Sequence, residues 1–166
     1  MSQAVISRPE FRSLRDILAL EQQTYDETVP FVSTASLLGY VATAYQDSAA
    51  ISYQQNPSPE EAPLSWSFNE LRQQCVKVAH LLRNLGVTRE QPVALLAPHV
   101  PSAIFALWGA QMAGCVFPIN YLLGADHIAA LLRKTRTKVV ITLASHSGLN
   151  INTEVKRAVE LADCVQ

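Results

Sequence analysis

The sequence has 166 residues, of which 49% are hydrophobic and 16% are charged, and its net charge at pH 7 is -1. This length and apolar content suffice for one buried core, and the lack of a basic block argues against a nucleic-acid partner. The cysteines show no CxxC or CxxH spacing, so we expect no zinc site. Instead, we expect the thiols of Cys75, Cys115 and Cys164 to be reduced and buried, as in a cytoplasmic protein.

Neither a secretory signal nor a membrane span is predicted. The first ten residues lack a long apolar run. Residues 100–117 carry no formal charge and are long enough to span a bilayer. However, Pro101 and Pro118 bracket this stretch and Gly109 and Gly114 interrupt it, which favours a strand–helix–strand unit.

Residues 1–48 are predicted to form a helical lead-in to an α/β subdomain that spans residues 49–166. Residues 1–10 are expected to be loose, and a weak helical stripe follows at Phe11, Leu14, Leu18 and Tyr25. A second helix is expected to begin at Ser33 or Thr34, with one apolar face formed by Leu37, Leu38, Val41 and Tyr45.

Two extended segments, 49–53 and 64–66, flank a proline-rich loop at 56–63 and are predicted to pair as a small peripheral hairpin. A helix follows with a strong start signal, because Ser67 and Glu70 form a capping box before an apolar run. Gly86 is expected to close this helix, and His80 projects to its solvated side. The predicted core face contains Leu71, Cys75, Val78, Leu82 and Leu85.

The centre of the chain is a run of 35 residues without a formal charge, from Gln91 to Ala125. It is typical of a strand at 93–97, a helix at 102–113 and a strand at 115–119. Short apolar runs bounded by turn residues suit strands buried on both faces, and a helix between them suits parallel neighbours.

The remaining chain continues the same alternation. A helix carries Asp126 in its first turn and Arg133 and Lys134 in its last turn, which complements the helix dipole. Its sheet-facing residues are predicted to be Ile128, Leu131, Leu132 and Thr135. A third parallel strand is expected at 138–143, and a last helix carries Val155, Ala158, Val159 and Ala162. The alternation of helices and strands predicts a further strand after about residue 163.

A search for catalytic and binding motifs assigns no catalytic, cofactor-binding or metal-binding residue. No GxGxxG, GxxxxGK[ST] or GxSxG motif is present. The loop at 144–148 contains Ser145, His146 and Ser147 beyond a strand end, where α/β proteins place ligands, so a small enzyme using this loop stays open as an alternative. The weaker candidates are His99, Asp126 with His127, and Trp108. We expect His99 to be a turn residue and Asp126 and His127 to lack the further ligands that a metal needs. Trp108 is expected to lie in the core or in a covered interface.

The segment from Trp66 to Leu143 resembles the N-terminal part of the adenylate-forming enzymes, which include acyl-CoA synthetases, luciferases and peptide-synthetase adenylation domains. The resemblance rests on the order and spacing of several short elements, together with Ala49-Ala50-Ile51 upstream of them. These are residues 65–71, the AxxLxxLGV segment at 79–87, the VALLAP segment at 93–98, the helix ending at Ala113-Gly114, the VFPIN segment at 116–120, Leu131-Leu132 and the KVVIT segment at 138–142. The chain departs from the family at Glu90-Gln91, where Gly-Asp is usual, and at Pro98-His99, where Pro-Asn is usual.

The resemblance implies a Rossmann-like α/β fold and a parent reaction that uses ATP, Mg and coenzyme A. The family's phosphate loop, adenine-binding motif, ribose-binding aspartate and catalytic lysine lie downstream of the matched region. We therefore expect this chain to be the scaffold part of an AMP-forming acyl-CoA synthetase, inactive alone, with the remainder of the parent chain as its partner. The alternative is a stand-alone, non-catalytic α/β module that binds a partner.

Self-association is also expected, because the helix at 102–113 is apolar on all sides and must be covered. An open sheet edge would add to this tendency. A two-fold dimer is the simplest arrangement for identical chains. The alternative is that the N-terminal helices, residues 11–46, fold back and cover the apolar surface within one chain.

Overall fold

The structure is a computed structural model that describes residues 10–56, 58–144, 148–163 and 165. Helices and strands alternate over most of this part of the chain, and the α/β class is confirmed. The elements are α1 (Leu14–Glu21), α2 (Tyr25–Thr28), α3 (Thr34–Tyr45), β1 (Ala49–Tyr53), β2 (Leu64–Ser67), α4 (Phe68–Asn84), β3 (Pro92–Leu96), α5 (Pro101–Ala113), β4 (Cys115–Pro118), α6 (Ala125–Thr135), β5 (Val139–Thr142) and α7 (Ile151–Ala162).

The main sheet is parallel and has the order β4-β3-β5, so β3 is its central strand. Ala94 of β3 aligns with Phe117 of β4 on one side and with Val140 of β5 on the other. Side chains of β3 alternate between the two faces of the sheet, and both faces are covered by helices. This double cover explains why β3 is a continuous apolar run rather than an alternating one.

The helices α4 and α5 cover the sheet face to which Val93 contributes. Here Ala79, Leu82, Val87, Val93, Ala110 and Ala113 form the α4–α5 cluster. The two helices approach each other closely at Gly109, where a Cβ atom would lie 2.6 Å from the Val78 Cβ. The Arg83 guanidinium also donates to the carbonyl oxygen of Met112 over 3.2 Å, which ties the C-terminal ends of the two helices together.

The helices α6 and α7 cover the opposite sheet face, to which Ala94 and Leu96 contribute. Here Ala94, Leu96, Ile119, Ala125, Ile128, Ala129, Leu132, Ile151, Val155, Ala158 and Ala162 form the α6–α7 cluster. The Glu154 carboxylate accepts from the Ala125 amide over 2.8 Å, and Arg133 donates to the Leu161 carbonyl oxygen over 3.1 Å. The two helices are therefore connected at both ends by polar contacts.

The hairpin of β1 and β2 is antiparallel and forms a sheet of its own, as predicted. It packs against α4. Leu38 of α3 and Leu71 and Cys75 of α4 form the buried α3 cluster, and β1 packs against it through Ala50 and Ile51. Phe105 and Trp108 of α5 pack against this cluster. α3 therefore covers part of α5 within one chain. Cover by the N-terminal helices was one of the two alternatives predicted for this apolar helix, and self-association was the other.

The first part of the N-terminal lead-in contributes little to the core. The predicted stripe is divided between two helices, with Leu14 and Leu18 in α1 and Tyr25 in α2. Phe11, Leu14, Leu18 and Tyr25 are all exposed. Residues 1–9 lie outside the described residues, so the expectation of a loose N-terminus is not tested.

Two predictions of burial are wrong. Leu85 is 60% exposed because α4 ends at Asn84. The chain then turns through Gly86, at a φ of 82°, and places Val87 rather than Leu85 in the α4–α5 cluster. Cys115 is exposed because it is the first residue of the edge strand β4, whereas Cys75 is fully buried as expected. Cys164 lies outside the described residues.

Candidate functional site

The carboxyl edge of the parallel sheet is where an α/β fold of this kind places a ligand. Two of its loops, after β3 and after β4, enclose a cavity of about 360 Å³. The loop after β5 begins at the same edge, but its residues Ser145, His146 and Ser147 lie outside the described residues. The cavity is lined by Leu95, Ala97, Pro98, His99, Ala103, Ile104, Leu107, Pro118, Ile119, Asn120 and Tyr121.

The polar groups of this carboxyl-edge cavity are few. His99 is exposed in the turn between β3 and α5, and Asn120 and Tyr121 follow β4. The Asn120 side-chain oxygen accepts from the Leu122 amide over 3.0 Å, which fixes the turn after β4. The remaining lining residues are apolar, so the cavity can enclose a small apolar group, with a histidine and an amide beside it.

The described residues of this edge do not fit the phosphates of a nucleoside triphosphate. Among them, no Lys or Arg lines the carboxyl-edge cavity. The turn that begins α5 contains Pro98 and Pro101, which have no backbone N–H, and the Val100 amide already donates to the Pro98 carbonyl oxygen over 2.8 Å. The backbone donors that cradle phosphates in glycine-rich loops are therefore missing from this turn.

A second and larger depression runs along the outer edge of β5. This β5 groove has a volume of about 780 Å³ and lies between the end of α4 and one side of α7. Its floor contains Val139, Val140 and Thr142, and its rim carries Lys138, Lys156 and Glu160. The described lining of the groove is mainly apolar, and its volume is about twice that of the carboxyl-edge cavity.

The other candidates from the sequence are not brought together. His80 is exposed on the outer side of α4, as predicted, and Asp126 and His127 are exposed in the first turn of α6. Among the described residues, no group of three or more His, Cys, Asp or Glu side chains is positioned to hold a metal ion. Burial raises the pKa of the Cys75 thiol to about 11, so it stays protonated at neutral pH and is a poor nucleophile.

Reasoning from the sequence did not identify Asn120 and Tyr121 as cavity residues, and it did not identify the β5 groove. Asn120 directly follows the second strand of the charge-free stretch, so the rule that ligands meet strand ends would have found it had it been applied to every strand. The groove depends on which strand lies at the sheet edge, and no local pattern records that order.

The strand order, the helices on both faces and the cavity at the carboxyl edge together define an α/β protein of the Rossmann-like class. The chain belongs to the family of AMP-binding enzymes, whose family model matches residues 40–166. The resemblance noted from the sequence is thereby confirmed. Within the part of the chain that the structure describes, no helix has the length and apolar character of a membrane span.

The relatives of this chain include CoA ligases. It is 35% identical over 133 residues to a marinolic acid–CoA ligase from a Pseudoalteromonas strain, a match that covers 80% of this chain and 20% of the ligase. The chain therefore spans about a fifth of the length of that relative.

Solved structures show the same fold. The N-terminal domain of FACL13 from Mycobacterium tuberculosis superposes with a TM-score of 0.56 at 23% identity, over 66% of this chain and 26% of that one. The anthranilate CoA ligase AuaEII, in complex with anthranoyl-AMP, superposes with a TM-score of 0.66 at 16% identity, over 86% of this chain and 26% of that one.

Proposed function

We propose that this chain is the N-terminal scaffold part of an ATP-dependent, AMP-forming acyl-CoA ligase. The observation that supports this most directly is the family match over residues 40–166, which extends from α3 to the residues after α7. The relative with 35% identity is a CoA ligase of which this chain matches one fifth.

The proposed parent reaction has two steps. A carboxylate oxygen attacks the α-phosphorus of ATP, which forms an acyl-adenylate and releases pyrophosphate. The thiolate of coenzyme A or of a carrier then attacks the acyl carbon, forms the thioester and releases AMP. ATP and coenzyme A are available in the cytoplasm, where we expect the parent enzyme to act.

The contribution of this chain to that reaction is structural. The turn at Pro98–Pro101 and the lining of the carboxyl-edge cavity do not fit ATP or its magnesium ion, so we derive no step from these residues. We propose that the groups that bind ATP, Mg and coenzyme A are supplied by other parts of the ligase. The division into a lead-in at 1–48 and a subdomain at 49–166 stays a prediction.

A chimeric enzyme tests the proposal. The stretch of marinolic acid–CoA ligase that matches this chain is replaced by residues 40–166, and pyrophosphate release and thioester formation are measured with the ligase's own acid. We expect both activities to be retained. A chimera that folds, as judged by circular dichroism, but makes neither product while the unaltered ligase is active would contradict the proposal.

The isolated chain provides a second test. Calorimetric titration with Mg-ATP is expected to show no saturable heat, because the described residues at the carboxyl edge of the sheet do not fit a triphosphate. A dissociation constant below about 100 μM, which corresponds to roughly -5.5 kcal/mol, would contradict the scaffold role.

A stand-alone module that binds a partner is the second candidate, and the β5 groove is the observation that favours it. The reading frame of the gene separates the two functions. Continuation into a loop rich in Ser, Thr and Gly that ends in Lys supports the ligase, whereas a stop codon after Gln166 supports the module.

A further inference from the structure

The helix α1 carries an apolar face that the rest of the described chain leaves open. Leu14, Ile17 and Leu18 recur at spacings of three and four residues, so they share one side of the helix. Phe11 directly precedes the helix. These four side chains are between 42% and 69% exposed, and no residue of α1 is buried. The face therefore lacks the packing partner that an amphipathic helix ordinarily has.

The length of α1 indicates that it needs such a partner. It has eight residues, whereas isolated helices shorter than about 12–15 residues are only marginally stable in water. Its first turn is capped, because the Asp16 carboxylate accepts from the Ser13 amide over 2.8 Å. A cap supports one turn, but the stability of a helix in a protein comes mainly from the packing of its apolar face. We therefore expect a surface to pack against this face.

The family match gives no account of that surface. The family model begins at residue 40, so the whole of α1 precedes the matched region. The apolar face is accordingly a feature of this chain's own lead-in, and its partner has to be inferred from the residues of α1.

The charges beside the apolar face suit a second copy of the same helix. Arg12 and Asp16 are engaged in contacts at the start of α1, whereas Arg15 and Glu21 have no hydrogen-bond or ion-pair partner among the described residues. Arg15 lies three residues before Leu18, and Glu21 lies three residues after it. In an antiparallel pair centred on Leu18, the arginine of each copy is therefore beside the glutamate of the other, whereas a parallel pair places like charges together.

The exposed area agrees with a reversible dimer. With about 200 Å² for each fully exposed side chain, the four apolar residues present on the order of 400 Å². Apolar patches of about 300–600 Å² are often functional on a monomer. A standard interface buries about 800 Å² per partner, so an interface built on this patch is at the small end of the range. We expect a dissociation constant in the micromolar range rather than a permanent complex.

We propose that this chain forms a two-fold homodimer in which the α1 helices of two copies pack antiparallel. The two-fold axis passes near Leu18, so the same patch is used twice. The apolar faces cover each other, and a pair of Arg15 with Glu21 of the other copy closes the interface at each end. The inference concerns the lead-in alone and does not depend on the proposed function.

Sedimentation equilibrium with a matched pair of substitutions tests the interface. Leu18→Lys places two lysines opposite each other at the two-fold axis, so we expect the dissociation constant of the dimer to rise at least tenfold. Leu81→Lys is the control, because Leu81 is similarly exposed, at 59%, but lies on α4. It is expected to leave the dissociation constant unchanged. Circular dichroism checks that both variants fold.

Reversal of the two charges tests the antiparallel arrangement. Arg15→Glu and Glu21→Arg are each expected to weaken the dimer several-fold, and the double variant is expected to restore it. A glutamate in the first turn and an arginine in the last turn both suit the helix dipole. The single variants therefore do not weaken α1 itself, and a loss of association reports the contact between copies.

Three outcomes would overturn the proposal. One is a monomer at every concentration up to about 100 μM, well above the expected dissociation constant. Another is a dimer that the folded Leu18→Lys variant retains, because a different surface, such as that of α5, would then be responsible. The third is a double charge variant that associates no better than the single variants. Recovery in the double variant, together with loss in Leu18→Lys, would support the proposed dimer.

Discussion

The close approach of α4 and α5 leaves no room for a side chain at Gly109. A Cβ atom at this position would lie 2.6 Å from the Val78 Cβ and 2.7 Å from the Cys75 carbonyl oxygen. Carbon atoms in contact ordinarily lie about 3.5–4.0 Å apart. The Cys75 oxygen belongs to the backbone of α4, so it cannot rotate away, and the helices must separate to admit a methyl group.

Two opposing terms set the effect of Gly109→Ala on the free energy of unfolding. Overpacking of a tight site costs about 1–3 kcal/mol, and a backbone atom in the clash places this case near the upper end. Replacement of glycine by alanine inside a helix returns about 1 kcal/mol. We therefore expect a net loss of about 2 kcal/mol, which lowers the urea midpoint by about 1 M at a typical slope of about 2 kcal/mol/M.

Gly39 in α3 provides the matched control. A Cβ atom there would meet nothing within 4 Å, so Gly39→Ala gains helix propensity without a clash. We expect Gly39→Ala to increase the free energy of unfolding by up to about 1 kcal/mol and thereby to raise the urea midpoint. A Gly109→Ala variant that unfolds at or above the wild-type midpoint would show that the helices are not in tight contact at this crossing.

Four further predictions concern folding and assembly. Ser67→Ala removes the hydroxyl that accepts from the Glu70 amide over 3.2 Å, and denaturation should report a loss of about 1 kcal/mol; an unchanged midpoint would contradict the cap. Trp108 packs against the α3 cluster, so in a Trp66→Phe background its fluorescence should resist acrylamide, and quenching as fast as that of free tryptophan would contradict this. Cys75 should react with a thiol reagent at pH 8 only after unfolding, and labelling of the native thiol at the rate of an exposed one would refute its burial. Sedimentation equilibrium of the isolated chain at micromolar concentration should show a dimer or higher species, because the apolar helix α5 is covered by α3 only in part, and a single species at 18.2 kDa would refute self-association.

The central strand–helix–strand unit was predictable from the sequence because its signals are local. The helix predicted at 102–113 is Pro101–Ala113 in the structure, bounded by a proline that fits the first helical turn and by Gly114. Ser67 caps α4 as the capping box predicted, since this motif depends only on residues three apart. Strong turn residues and short-range hydrogen bonds therefore determine these boundaries.

The remaining features depend on tertiary structure. Leu85 matches the helical period of α4, but the helix ends one residue before it, and its side chain borders the β5 groove instead of the core. Cys115 lies in an apolar stretch of the sequence, which predicts burial, but the strand that contains it is at the edge of the sheet and leaves it exposed. His99 and Asn120 are 21 positions apart and meet at one cavity only because β3 and β4 are neighbours. Sequence periodicity predicts local conformation, whereas the order of the strands and the positions of their ends determine which residues are neighbours in the folded chain.

The strand order β4-β3-β5 also has a consequence for the order of folding events. Ala94 and its partner Phe117 are 23 residues apart in sequence, whereas Ala94 and its partner Val140 are 46 residues apart. Doubling a loop adds about 0.6 kcal/mol to the entropic cost of closing it, so the pairing of β3 with β4 is the less costly nucleus. During synthesis the unit β3–α5–β4 leaves the ribosome before β5 does. It can close first and present the other edge of β3 as a template on which the later strand completes the sheet.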